Sequence, residues 1–211
     1  IPAALVLTLL VLSLLLRPAL FEKVHSTEQT PIAVINFENL TGDTTYNFLR
    51  HVIPNLLITS LEQSKYLRVT TWERLNDLLT KIGREDVLFI DSELGFDLCL
   101  MDNIDAIVVG SFTKAGELFA TDVKILDVTT KDMLASARSD GKGVESILES
   151  QIDELSREIL HGIGLSDAMI DTTYQPIVEL TTDSWEAYNY FLRGRDDFEK
   201  IYLDNARRFL E

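Results

Sequence analysis

The chain predicts an α/β domain, a mixed sheet with helices packed on it, preceded by a transmembrane helix and followed by the start of an all-α helical repeat. Three observations predict this class. Two apolar runs of strand length, Ile32–Phe37 and Ile104–Phe112, are each joined to segments with helical spacing. Residues 118–139 alternate apolar and polar side chains between turn signals, as an antiparallel ending does. The first sixteen residues carry no charge, in a chain of 211 residues whose 19 basic and 34 acidic side chains give −15.

Ile1–Leu16 reads IPAALVLTLLVLSLLL, with only Thr8 and Ser13 polar, and is followed by Arg17 and Pro18. A core helix of a globular domain would show a polar face, and this segment has none. Spanning the hydrocarbon layer takes about 20 residues, so 1–17 is read as the end of a truncated transmembrane helix. A cleaved signal peptide is the rival. It is disfavoured because LLLRPALFEK offers no small-x-small cleavage site and no cysteine for lipidation.

A linker at 18–30 leads to Pro31 and the first strand, Ile32–Phe37. Gly42 and Asp43 mark a turn, with Asp43 or Thr44 placed to cap a helix. Leu49, Val52, Ile53, Leu56, Leu57 and Ser60 recur at helical spacing, and Pro54 inside that pattern is expected to kink the helix or mark a second start. A strand follows at Tyr66–Thr70, then a helix from Thr71 to Ile82 closed by Gly83. Residues 91–102 form a short helix before Ile104–Phe112, the most apolar run of the body and its expected central strand. Lys114–Glu117 turns that strand into Leu118–Val128, and Thr129–Asp132 turns that one into Met133–Ser139, which Gly141 and Gly143 end. A stripe of Val144, Ile147, Leu148, Ile152, Leu155, Ile159 and Ile163 predicts one long surface helix, with Glu145, Glu149, Asp153, Glu154 and Glu158 on its wet face.

Mean hydropathy is +0.09, although a quarter of the residues are charged. A net charge this negative, without any basic block, argues against nucleic acid and anionic membrane surfaces as partners. His25, His51, His161 and Cys99 show no spacing that would serve a metal or a nucleophile and its base. Cys99, between Leu98 and Leu100, reads as a small core residue. Gly141-Lys-Gly143 lacks the rest of a phosphate loop, since Val144 stands where Lys and Ser or Thr would be needed. Glu38, Asp105, Asp122 and Asp127 fall at strand ends or faces and read as solvated carboxylates. No residue is therefore assigned to a catalytic, cofactor-binding or metal site, and no cofactor is expected.

Ile32-Ala-Val-Ile-Asn-Phe-Glu-Asn-Leu-Thr-Gly-Asp43 resembles the opening of the TolB amino-terminal-like domains, a group related to the flagellar FlgO and curli-secretion CsgG proteins. Asp105-Ala-Ile-Val-Val-Gly-Ser111 and Leu126-Asp-Val-Thr-Thr130 are similar to two later segments of that family. Asn36 stands where the family has Pro, Thr130 and Lys131 stand at its turn Gly, and Arg50–Pro54 departs from its usual helix. Beyond a linker at 166–182, Ser184–Lys200 is amphipathic and a second helix starts at Leu203. There, within 183–211, Tyr190, Gly194, Ala206 and Leu210 fall at offsets similar to a tetratricopeptide repeat. The resemblance covers 31–165. With the span and the repeat, it implies a non-enzymatic extracytoplasmic sensing and protein-interaction module of a membrane-anchored bacterial signalling protein. Such proteins are single-pass in the inner membrane, with the soluble part periplasmic and a serine/threonine kinase or cyclase before the span. The alternative it implies is an envelope assembly or scaffold component. Protein partners and membrane contact through the first helix are expected, nucleic acid is not, and homo-oligomerisation is left open.

Overall fold

The structure, a computed structural model, describes residues 29–87, 89–170, 174–199 and 202–210. The expected transmembrane helix at 1–17, His25 and nearly all of the 18–30 linker lie outside the described residues. Among those described, no helix is long and apolar enough to cross a membrane.

The run after Pro31 forms β1 (Thr30–Asn39), followed in the chain by β2 (Leu67–Thr70), β3 (Ala106–Ala115), β4 (Leu118–Asp127) and β5 (Met133–Lys142). They make one mixed sheet of order β2-β1-β3-β4-β5, so the strand expected to be central is central. β1 is parallel to β2 and β3, while β3, β4 and β5 form an antiparallel meander. Gly141, expected to end the last strand, lies within β5. A Cβ there would run into the Ser146 side chain, so glycine is what lets the following turn close over the strand.

Helices cover the sheet on both sides. α1 (Leu49–Leu61) packs on one face with Ile32, Val34, Val108 and Val123. α2 (Trp72–Lys81) and α3 (Ser92–Met101) pack on the other, where Leu75, Leu79, Leu94 and Leu98 meet Ala33, Ile35 and Ile107. The side chains of Thr71 and Asp91 cap α2 and α3 by accepting from the backbone N–H of Arg74 and Leu94, a contact worth about 1 kcal/mol each. Gly83 follows α2 in the left-handed conformation expected of a helix stop.

β1 serves both core layers by alternation, Ile32 and Val34 on one face and Ala33 and Ile35 on the other, and its parity changes midway. Val34 pairs with Val108 but Phe37 pairs with Gly110, so one extra residue bulges out between them. Strict alternation would aim Asn36 into the layer under α1. The bulge sends the fully buried ring of Phe37 there instead.

α1 runs through Pro54 without a second start. The proline has no N–H for the carbonyl of Arg50, four residues back, and the Nδ2 of Asn36 lies 3.4 Å from that oxygen as donor. The long helix expected from Val144 also differs: it begins as a π-helical turn, Ile147–Gln151, and becomes α4 (Ile152–Gly162) only afterwards. The wider turn goes with a polar side chain in the core. Gln151, fully buried, accepts from Thr121 Oγ1 at 2.7 Å and donates from Nε2 to the Phe119 carbonyl at 3.2 Å.

Between α2 and the end of α3, Arg74 and Asp102 form an ion pair in which Nε of Arg74 is 3.0 Å from both carboxylate oxygens. The Arg74 hydrogen bonds hold Asp102 below the usual carboxylate range. A depressed folded-state pKa contributes stability that is complete above the unfolded value, near 4, and is lost as pH falls through the folded one. Asp102→Asn is therefore expected to be less stable than wild type at pH 7. Urea midpoints of the two proteins, measured from pH 7 down to 2, should converge at the acid end.

Within the expected linker at 166–182, residues 166–170 and 174–182 pack on the body. Its short helices α5 (Asp167–Ile170) and α6 (Ile177–Leu180) bury Ile170 and Ile177 in the layer under α1. Asp153, expected on the wet face, receives the N–H of Ile177 at 2.9 Å and the hydroxyl of Tyr174 at 2.8 Å. After it, α7 (Trp185–Glu199) and α8 (Leu203–Leu210) form an αα-hairpin. Gly194 lets the helices approach closely: a Cβ there would lie 2.6 Å from Cγ of Leu210.

Candidate functional site: a cleft between the sheet domain and the hairpin

α7 is docked by a stripe of side chains. Trp185 donates from Nε1 to the Val144 carbonyl at 3.1 Å and meets Phe48 edge-on at 6.1 Å. Tyr188 is buried among the core residues with its hydroxyl on Thr59, and that burial pushes its pKa up to about 12. Two turns further on, Arg195 donates from Nη2 to Oδ1 of Asn55 at 2.6 Å, and Asn55 in turn donates from Nδ2 to the His51 carbonyl at 2.8 Å.

Docked in this way, α7 closes one side of a cleft of about 660 Å³. α1 supplies Phe48, His51 and Asn55 to its wall, and α2 supplies Trp72 and Asn76. The loop before α3 contributes Glu85, Val87 and Ile90, fixed by the Ile90 N–H donating to Oδ1 of Asn36 at 2.8 Å. α7 adds Leu192, Arg193 and Arg195. Trp72 stands edge-on to His51, 6.3 Å between centroids, and its buried Nε1 has no hydrogen-bond partner among the described residues. Arg50, next to His51, lies over the Phe89 ring at 3.9 Å, and its buried Nε is likewise without a partner among those residues. Arg193 stacks on Phe209 of α8 at 4.3 Å.

Among the described residues, His51 is the one of the chemistry-bearing residues singled out in the sequence that lines this cleft. Asn36 is 2.8 Å from its Nδ1, and because Asn36 Oδ1 is the atom that accepts from Ile90, the Asn36 amide is the donor there. His161 lies at the end of α4, with Nδ1 3.0 Å from the Leu165 carbonyl and Nε2 3.1 Å from Asp167. Cys99 is fully buried in the layer under α3. Its thiol is pushed up to about 12 by burial, with the nearby Asp102 charge adding to the shift. Asp122 pairs with Arg138 across β4 and β5 at 2.8 Å, and Asp127 caps the turn after β4 by accepting from the N–H of Thr129 and Thr130. Those backbone bonds, Thr130 first, hold Asp127 below its ordinary pKa. Glu38 and Asp105 are exposed. Among the described residues, no three His, Cys, Asp or Glu side chains gather as a metal ion requires. Trp72, Asn55, Arg193 and Arg195 escaped the sequence reading. The one local signal was an asparagine inside the apolar helix pattern of 49–60.

No protein-family model matches the chain, and no curated protein matches it. Solved structures are similar in fold. The C-terminal domain of LpoB from Salmonella enterica is 12% identical over 62% of this chain and 91% of its own, with a TM-score of 0.41. Lipoprotein GNA1162 from Neisseria meningitidis is 14% identical over 65% of this chain and 99% of its own, with a TM-score of 0.45. TolB from Acinetobacter baumannii is 13% identical over 65% of this chain, with a TM-score of 0.44, and that match takes in 29% of TolB's length.

Proposed function

We propose that the chain is a non-enzymatic protein-interaction module that acts outside the cytoplasm, as an envelope assembly or scaffold component. The observation that carries the interaction reading is the set of exposed apolar side chains at the end of the hairpin. Phe198, Tyr202 and Leu203, where its two helices join, are 61%, 59% and 57% exposed. Large apolar side chains grouped in this way mark surfaces that a second protein covers. The close crossing at Gly194 and Leu210, with Ala206 buried, supports reading the hairpin as a tetratricopeptide-like unit, whose neighbours stack on such a face. The extracytoplasmic placement is supported by the resemblance of Ile32–Asp43 and Asp105–Ser111 to TolB amino-terminal-like domains.

Site-specific photocrosslinking in cells tests the interaction reading. A benzophenone analogue introduced at Phe198 should give discrete protein adducts, and the same analogue at Glu93, on α3 at the far side of the sheet, should give none. Equal adducts from both positions, or none from Phe198, would overturn it.

A further inference from the structure

The sheet ends in two unlike edges. β2 is an edge of four residues, whereas β5 is an edge of ten and holds no proline. A long edge is a template for another strand, and proteins blunt such edges with shortness, proline or charge. On β5 the charges are arranged in a way that a second β5 complements.

The direction of its backbone groups follows from two observations. The N–H of Gly143 donates to the Glu117 carbonyl, which sets the odd residues of β5 on the ladder with β4. The carbonyl oxygen of Asp122 lies 2.7 Å from where a Cβ on Gly110 of β3 would stand, so the even residues of β4 face β3 and its odd ones face β5. In an antiparallel ladder, residues that exchange hydrogen bonds alternate with residues whose N–H and C=O turn away. The backbone groups of Ser136, Arg138, Asp140 and Lys142 therefore point out from the edge. None of them has a partner among the described residues, and all four residues are exposed. A hollow of about 430 Å³ lies alongside, lined by Ala137, Arg138 and Ser139 of β5 and by Glu154 and Arg157 of α4. No described residue of β4 lines it, so it opens at the edge, with α4 as its floor.

Arg138 and Asp140 are two residues apart and share the face of the strand opposite α4, where Arg138 already pairs with Asp122. Asp140 has no ion-pair partner among the described residues. When a second copy of β5 is laid antiparallel on this edge, outward residue against outward residue, few registers are open. Centring on Ser139 sets Arg138 against the partner's Asp140 and Asp140 against the partner's Arg138. Centring on Arg138 opposes two arginines, and centring on Asp140 opposes two aspartates. Centring on Ala137 puts both charges against uncharged residues, Ser136 and Leu134. Centring on Gly141 matches Asp140 with the partner's Lys142 but leaves only residues 140–142 of the strand paired. The Ser139 register is thus the one that joins most of the strand with opposite charges facing. On the α4 side it sets Ala137 against the partner's Gly141, and these small residues let the strands approach.

We propose that β5 pairs with β5 of a second copy of this chain, about a two-fold axis at Ser139, so that two five-stranded sheets become one. About eight backbone hydrogen bonds and two Arg138–Asp140 pairs would hold it. The inference goes beyond the interaction reading and does not depend on it, because β5 and the end of the hairpin are different surfaces.

Charge exchange tests this on the whole chain, by sedimentation equilibrium in a density-matched non-ionic detergent. Asp140→Lys makes both facing residues basic and Arg138→Asp makes both acidic, so each variant repels its own copy while the two complement each other. The expected result is a dimer for wild type and a dissociation constant about tenfold or more higher for each variant alone. An equimolar mixture of the two should return to within about threefold of wild type. Glu93→Lys on α3 changes the net charge as Asp140→Lys does and should associate like wild type. Asp140→Lys breaks no ion pair among the described residues, so it decides the matter alone if Arg138→Asp, which loses the Asp122 pair, does not fold. A monomeric wild type, unchanged association of Asp140→Lys, an equal loss in Glu93→Lys, or a mixture of folded variants no tighter than either alone would each overturn the proposal. Adducts from Phe198 together with a monomeric wild type would sink it and leave the interaction reading standing.

Discussion

Gly110→Ala is expected to lower stability by about 3 kcal/mol, the upper range for forcing one methyl group into a filled core. A Cβ at position 110 would overlap the ring of Phe37, 2.5 Å from Cζ, and would sit 2.7 Å from the carbonyl oxygen of Asp122. Neither neighbour can give way. Phe37 is fully buried and its position is set by the bulge in β1, and the Asp122 carbonyl belongs to the backbone of β4. Gly116→Ala is the control, in the turn between β3 and β4. There φ is +62° and nothing lies within 4 Å, so only the left-handed backbone costs, about 1 kcal/mol. Urea denaturation should separate the two glycines by about 2 kcal/mol. If the loss at Gly110 is steric, Phe37→Leu should cost less in the Gly110→Ala background than in wild type, and additive losses would show that the ring is not what the methyl group meets.

The parts of the fold that could be read in advance are those fixed by short-range periodicity. The apolar run of β1, the stripe of α1, the helix starts near Thr71 and Asp91 and the stop at Gly83 each express a local rule, and the structure has them within a residue or two of the expected places, whereas Asp43 caps only the short turn Thr44–Tyr46 and not α1. The departures come from single polar residues whose partners are distant in sequence. Gln151 looks like one more polar position on an amphipathic helix until Thr121 and the Phe119 carbonyl, some thirty residues earlier, are placed opposite it. Asp153 looks solvated until the 166–182 segment folds back and presents Ile177 and Tyr174 to it. Lys131, where the family resemblance has a glycine, takes the left-handed conformation with φ of 62° that the turn requires, so the turn survives the substitution. The cleft was illegible for the same reason. Trp72, Asn55 and Arg195 belong to three helices, and no spacing along the chain announces that α7 will dock where Asn55 and His51 can receive it.

Asn36→Leu is expected to cost about 3 kcal/mol, because the Asn36 side chain closes three accounts that apolar substitution leaves open. Its oxygen takes the N–H of the buried Ile90, which pins the loop bearing Val87 and Glu85 to the cleft. Its amide reaches Nδ1 of His51 and the carbonyl of Arg50. That carbonyl lacks a helical donor only because residue 54 is proline, so the bulge residue and the helix residue form a coupled pair across two elements. The coupling has a definite sign. In a Pro54→Ala background the new N–H at 54 can take the Arg50 carbonyl, and Asn36→Leu should then cost about 1 kcal/mol less than in wild type. A double-mutant cycle from urea midpoints measures this difference directly. A coupling near zero would show that Asn36 acts through Ile90 and His51 alone. A coupling of the expected size would show how α1 stays unbroken through Pro54, with the missing donor supplied from the strand beside it.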